Sequence, residues 1–187
     1  MMDNAIEFAT PADFRDWLEA NHTTAKEVWV ALHKVSTGKS SITWEEGVRE
    51  ALCFGWIDAV KKGGEHIWYQ RFTPRGPKSG WSERNRKHIE DLTAKGLMMP
   101  AGLAQVEKAK ADGRWDAAYS GQKDMVIPED FLVELAKHTA AQATYATLNR
   151  QNLFAIYYRV TSAKRPETRT KRIATLIATL AKGETFH

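Results

Sequence analysis

Between residues 51 and 85 the chain reads ALCFGWIDAVKKGGEHIWYQRFTPRGPKSGWSERN. Within it, Trp56, Asp58, Arg71, Arg75, Lys78, Ser79, Trp81 and Asn85 are interleaved with Gly and Pro. Together they could hold an anion. Arginine grips two oxygens of a carboxylate or phosphate at once, and lysine adds a point charge. The tryptophans could cover an apolar ligand face, and Asp58 could orient an arginine or accept a ligand donor. These eight residues are the candidate ligand-binding wall. A buried Asp needs a cation or several donors, so Asp58 with Arg71 or Arg75 fits two descriptions. One is a structural salt bridge that fastens the loop. The other is an anion-positioning or acid/base pair.

The remaining reactive types narrow the choice. Cys53 sits at a predicted helix C-terminus, where partial negative charge disfavours a thiolate. Its apolar neighbours Leu52 and Phe54 assign it a buried, inert role. The six histidines are scattered and the chain has one Cys, so no disulfide, no metal site and no cofactor is expected. A phosphate-loop pattern, a GxGxxG turn after a strand and a GxSxG elbow are all missing. No catalytic residue is assigned.

A second cluster lies in AKRPETR, starting at Ala163. Pro166 and Glu167 suit a helix start. Lys164, Arg165, Arg169 and Arg172 are candidate interface or anion contacts, with Tyr157 and Tyr158 just upstream. They could clamp an anionic ligand, touch nucleic-acid phosphates or lock the helical half onto the α/β half.

These residues need a scaffold. A short strand is predicted over 6–9. Thr10, Pro11 and Asp13 start a helix over 11–21 whose face carries Phe14, Trp17 and Leu18. Residues 26–35 alternate as a strand. Thr43 and Glu46 form a capping box for a helix reaching residue 54, which Gly55 ends. Strands over 56–61 and 66–72 are joined by a hairpin turn at 62–65. An irregular loop over 73–80 leads to Ser82, which caps a helix over 83–95. Further helices are predicted over 100–112, 128–138, 140–148, 151–162 and 166–182, with 114–126 less regular. The fold class is α+β. A small N-terminal α/β unit with a short antiparallel sheet, residues 1–95, precedes a mainly helical region, 96–187, and the two are expected to pack as one protein.

Composition agrees with a folded chain. At 187 residues, 43% hydrophobic and 27% charged, it can bury a core and is not disordered. The net charge of +4 permits anionic partners. Without an evident reading element, a small anionic molecule is favoured over nucleic acid. No run approaches a membrane span, and no leader pattern opens the chain, so a cytoplasmic location without membrane insertion is expected.

The chain resembles the YdeI/OmpD-associated, or bacteriocin-protection, family. The resemblance runs over nearly the whole chain. It is carried by Trp17-Leu18, the stretch from Ala51 to Asp58, the stretch from Arg71 to Arg75, Ser79, Trp81-Ser82 and Asn85. It continues through Gly96, Pro100-Ala101-Gly102, the stretch from Asp112 to Trp115 and the AKRPETR run. It implies an α/β unit joined to a helical region and a stress-tolerance setting, without a reaction or catalytic residues. Three functions follow as expectations: an anion- or small-molecule-binding protein, an enzyme using Asp58 with Arg71 or Arg75, or a protein- or nucleic-acid-interaction module.

Overall fold

The computed structural model describes residue 2 and residues 4–187. The chain divides into two compact units, Met1–Ala118 and Tyr119–His187. Sequence reading drew its division near residue 95. Ile89, Leu92, Val106 and Ala109, beyond or beside that point, are buried in the same core as the sheet. Their helices therefore extend the first unit to residue 118.

The first unit opens with strand β1 (Ala5–Glu7), helix α1 (Pro11–Asn21) and strand β2 (Val28–His33). The two strands pair in parallel. Parallel neighbours require a crossover, and α1 supplies it. Thr10 starts α1 through a capping box: its hydroxyl accepts from the Asp13 N–H, and the Asp13 carboxylate accepts from the Thr10 N–H. Helix α2 (Trp44–Cys53) begins with the same device, built from Thr43 and Glu46. Strands β3 (Trp56–Lys62) and β4 (Ile67–Pro74) form the expected hairpin, and the sheet order is β1-β2-β4-β3. Three strands are antiparallel, while β1 makes the sheet mixed. The loop after β4 leads into α3 (Glu83–Ala94), and α4 (Pro100–Ala111) follows.

Strand alternation decides which side chains enter this core. Val28 and Phe72 face each other across β2 and β4, with Val30 and Leu32 on the same sheet face. These four pack with Phe14 and Leu18 of α1 and Val48 and Leu52 of α2. The opposite face carries Trp29 across from Arg71.

The second unit contains α5 (Glu129–Leu135), α6 (Thr139–Tyr145), α7 (Arg150–Thr161) and α8 (Pro166–Ala181). Phe131, Leu135, Ile156, Val160, Ile173 and Ile177 are among its core residues. Buried Asn152 accepts N–H bonds from Phe186 (2.7 Å) and His187 (3.1 Å), which pins the C-terminal segment. Among the described residues, no helix is long and apolar enough to cross a membrane.

One junction sets the tightest packing. Gly55 ends α2 with φ of 76°. The Cys53 carbonyl accepts from the Met99 N–H at 3.1 Å, and the Gly55 carbonyl from the Arg75 N–H at 3.0 Å. Helix α4 comes so close that a Cβ on Gly102 would lie 2.2 Å from the Cys53 carbonyl oxygen. Backbone stands on both sides and cannot yield cheaply. We expect Gly102→Ala to cost about 1–3 kcal/mol, the scale of core overpacking. Urea denaturation would read this as a lower midpoint at unchanged slope; an unchanged midpoint would disprove the close-approach argument.

Candidate functional site

The eight residues of the predicted wall separate into different surroundings. Trp56 is almost fully buried; its indole N–H donates to the His22 carbonyl at 3.3 Å, and its ring meets Trp17 edge to face. Trp81 is equally buried and packs edge to face on Trp115, with ring centroids 5.0 Å apart. Asn85 is buried in the first turn of α3, where its backbone N–H donates to the Ser82 hydroxyl. Ser79 accepts at its carbonyl from Arg114, and Lys78 is exposed.

Arg71 and Asp58 are not brought together. Asp58 pairs with Phe72, so Arg71, one residue earlier, points to the other sheet face. There it bonds Glu27 at 3.2 Å and lies over the Trp29 ring. Arg75 is nearly buried. Its guanidinium stacks 3.6 Å from the Trp81 ring centroid and donates to the Gly80 carbonyl at 3.1 Å. This fixes both the position and the plane of the cation.

Asp58 lies on the core side of the sheet, half-buried, and accepts from the Trp44 indole N–H at 3.3 Å. Burial pushes its carboxyl above the usual range. The Trp44 bond and the charges of Arg75 and Arg84 act in the other direction without overcoming burial. Arg84 lies over the Trp44 ring and bonds Glu45 at 2.9 Å. Beside it, Arg49 donates to Nδ1 of His88 at 3.2 Å and also bonds Asp91. Arginine can only donate, so Nδ1 accepts and the neutral ring carries its proton on Nε2. Burial, then the Arg49 charge, lowers the His88 pKa. The Glu45 carboxylate stands 3.7 Å from Nε2, too far for a hydrogen bond. A carboxyl whose pKa is raised and an imidazole whose pKa is lowered thus lie within reach of one charge, that of Arg84.

Sequence reading did not find Trp44, Glu45, Arg49 or His88. Part of the signal was present. Glu45 and Arg49 are four apart on α2, and Arg84, His88 and Asp91 follow helical spacing on α3. That the two faces meet is a tertiary fact. Cys53 matches its expected role: it is fully buried, and burial raises its thiol pKa.

A cavity of about 370 Å³ opens beside Arg75. Gln105 and Lys108 of α4 line it with Asp112 and Arg114. Two oxygens of Asp112 hold the Arg114 Nε–H at 2.8 Å, and Arg114 also donates to the Ser79 carbonyl. Lys108 is exposed.

In the second unit, Arg169 forms a two-point ion pair with Asp130 at 2.5 and 2.8 Å, joining α8 to α5. It also donates to the Val160 carbonyl. Arg172 donates to the Arg159 carbonyl (2.7 Å) and the Ser162 hydroxyl (2.9 Å), closing the end of α7. Lys164 and Arg165 are exposed, the latter preceding α8 as its N-cap. Among the described residues, no three His, Cys, Asp or Glu side chains gather to hold a metal.

Residues 6–105, more than half of the chain, match the family described as Domain of unknown function (DUF8412). The chain belongs to that family. Residues 124–183 match the family described as Bacteriocin-protection, YdeI or OmpD-Associated. That resemblance is therefore carried by the second unit and not by nearly the whole chain. The AKRPETR run falls within it, whereas the stretch from Ala51 to Asp58 and the stretch from Arg71 to Arg75 fall within the first match. No curated protein and no solved structure matches the chain.

Because the folded chain raises the Asp58 pKa, it binds more protons than the unfolded chain between the two values. That contribution to stability is present in acid and is lost as pH rises through the folded-state pKa. Asp58→Asn keeps an acceptor for Trp44 and removes the buried charge. Its stability relative to the native chain should therefore climb between about pH 3 and about pH 7. Urea titrations at both pH values test this, and a difference independent of pH counts against a perturbed Asp58.

Proposed function

We propose that this protein binds a small organic anion in the cavity beside Arg75. The observation that carries the reading is the charge and fixity of the lining. Arg75, Lys108 and Arg114 are three cations against one carboxylate, Asp112. Two of them are held before any ligand arrives: Arg75 by its stack on Trp81, and Arg114 by Asp112 and the Ser79 carbonyl. Cations already fixed in place lose less conformational freedom on binding. Lys108 supplies a mobile charge, and the Gln105 amide offers both a donor and an acceptor. The tryptophans of the block act in this reading as the support for Arg75 and not as the ligand-covering wall. The link to a bacteriocin-protection family supplies a stress-tolerance setting for such binding.

Succinate is a suitable probe. On titration of the full chain, the Arg75 Nε–H and Gln105 side-chain amide resonances should shift together and saturate. Lys108→Glu reverses an exposed charge without touching the core, and should weaken that response about tenfold or more, equivalent to about 1.4 kcal/mol. Resonances that do not move, or an identical response in the variant, would remove this site from consideration.

A further inference from the structure

The second unit holds a groove of about 500 Å³ between the end of α7 and the first half of α8. Arg159, Lys171 and Arg172 line it, and no carboxylate among the described residues does. Tyr158 and Leu176 form its apolar part, while Ser162 and Thr168 add hydroxyls. The geometry points to a binding site for a phosphate monoester that carries a flat ring: phosphate on the Arg159–Lys171–Arg172 side, ring against Tyr158.

The donors favour phosphate over carboxylate. Arg172 spends Nη1 on the Arg159 carbonyl and the Ser162 hydroxyl, which holds its plane in place. Its other guanidinium donors have no partner among the described residues. The Ser162 oxygen accepts from Arg172, so its own proton is available for donation to a ligand. Thr175 donates its hydroxyl to the Lys171 carbonyl and so has only acceptor capacity left. Arg159 is placed by its stack over the Phe186 ring, 4.8 Å from the centroid. Lys171 is exposed and has no carboxylate partner among the described residues. Three cations exceed the single negative charge of a carboxylate. They suit the three terminal oxygens of a monoester, which carries about −1.5 to −2 charge at neutral pH.

Tyr158 supplies the surface for the ring half of the ligand. Tyr158 is 39% exposed. Tyr119 meets its ring edge to face at 5.0 Å, and Phe154 stacks at 6.2 Å. A tyrosine supported by two other rings is a rigid platform, and it leaves surface for a planar group. The groove volume lies in the range of about 300–1,000 Å³ usual for small-molecule sites. This site is independent of the Arg75 cavity, which belongs to the first unit.

Calorimetric titration of the full chain with phenyl phosphate, inorganic phosphate and phenol tests the assignment. Phenyl phosphate should bind about tenfold tighter than inorganic phosphate, and phenol should not compete. Lys171→Glu should weaken both phosphates about tenfold or more, whereas Tyr158→Leu should abolish the preference and leave inorganic phosphate within about twofold. Both substitutions fall on exposed side chains, and circular dichroism checks their folding. Unchanged binding in Lys171→Glu, or competition by phenol equal to that of phenyl phosphate, overturns the site. Loss of phenyl phosphate binding in Lys108→Glu also overturns it, by moving the anion to the Arg75 cavity. An affinity that rises with the length of an oligothymidylate overturns the small-molecule assignment in favour of nucleic acid.

Discussion

The approach of α4 to the last turn of α2 is the constraint on which the first unit depends. Helix ends leave carbonyls without intrahelical partners. Here the Cys53 and Gly55 carbonyls are satisfied by the Met99 and Arg75 N–H groups, which come from two different segments. The approach is possible because Gly55 adopts a left-handed φ and Gly102 has no Cβ. A single turn thus aligns the start of β3, the loop after β4 and the start of α4. The Arg75 cavity is a consequence, since its walls come from that loop and that helix.

Around this junction, aromatic rings hold cations more often than they face solvent. Arg75 lies on Trp81, Arg84 on Trp44 and Arg86 on Trp115. A planar guanidinium on an indole keeps its charge while covering apolar surface. The same pairing explains why a block rich in Trp and Arg can be buried without a continuous pocket. Asp58 completes the pattern: it is held by an indole N–H, while two arginines act on it electrostatically. In the second unit, arginine side chains tie helices together through charge-assisted hydrogen bonds. Arg169 ties α8 to α5, and Arg172 ties α8 to the end of α7.

Elements with strong local signals are legible in the sequence. The Thr10 cap, the capping box at Thr43, the Gly55 stop, the hairpin before β4 and the Ser82 cap all stand where the sequence placed them. Each is decided within a few residues of chain. The parallel pairing of β1 was not legible, because partner choice depends on the crossover and not on strand composition. The extent of the first unit was missed for a related reason. The apolar stripes of α3 and α4 show that they bury a face, but not against which core.

The candidate site divides along the same line. From sequence alone, residue types, spacing and alternation established that Arg75 and Asp58 would sit beside aromatics and that Cys53 would be buried and inert. Alternation along β4 could also have set Arg71 apart from Asp58, once the register was known. Only the tertiary structure decided that Lys108 and Arg114 share a cavity with Arg75, that Trp44 rather than an arginine hydrogen-bonds Asp58, and that His88 meets Arg49. Local preference acts over a few residues, whereas these contacts join segments 14 to 39 positions apart. Their formation depends on how whole helices pack, and the packing depends on two glycines where backbones touch.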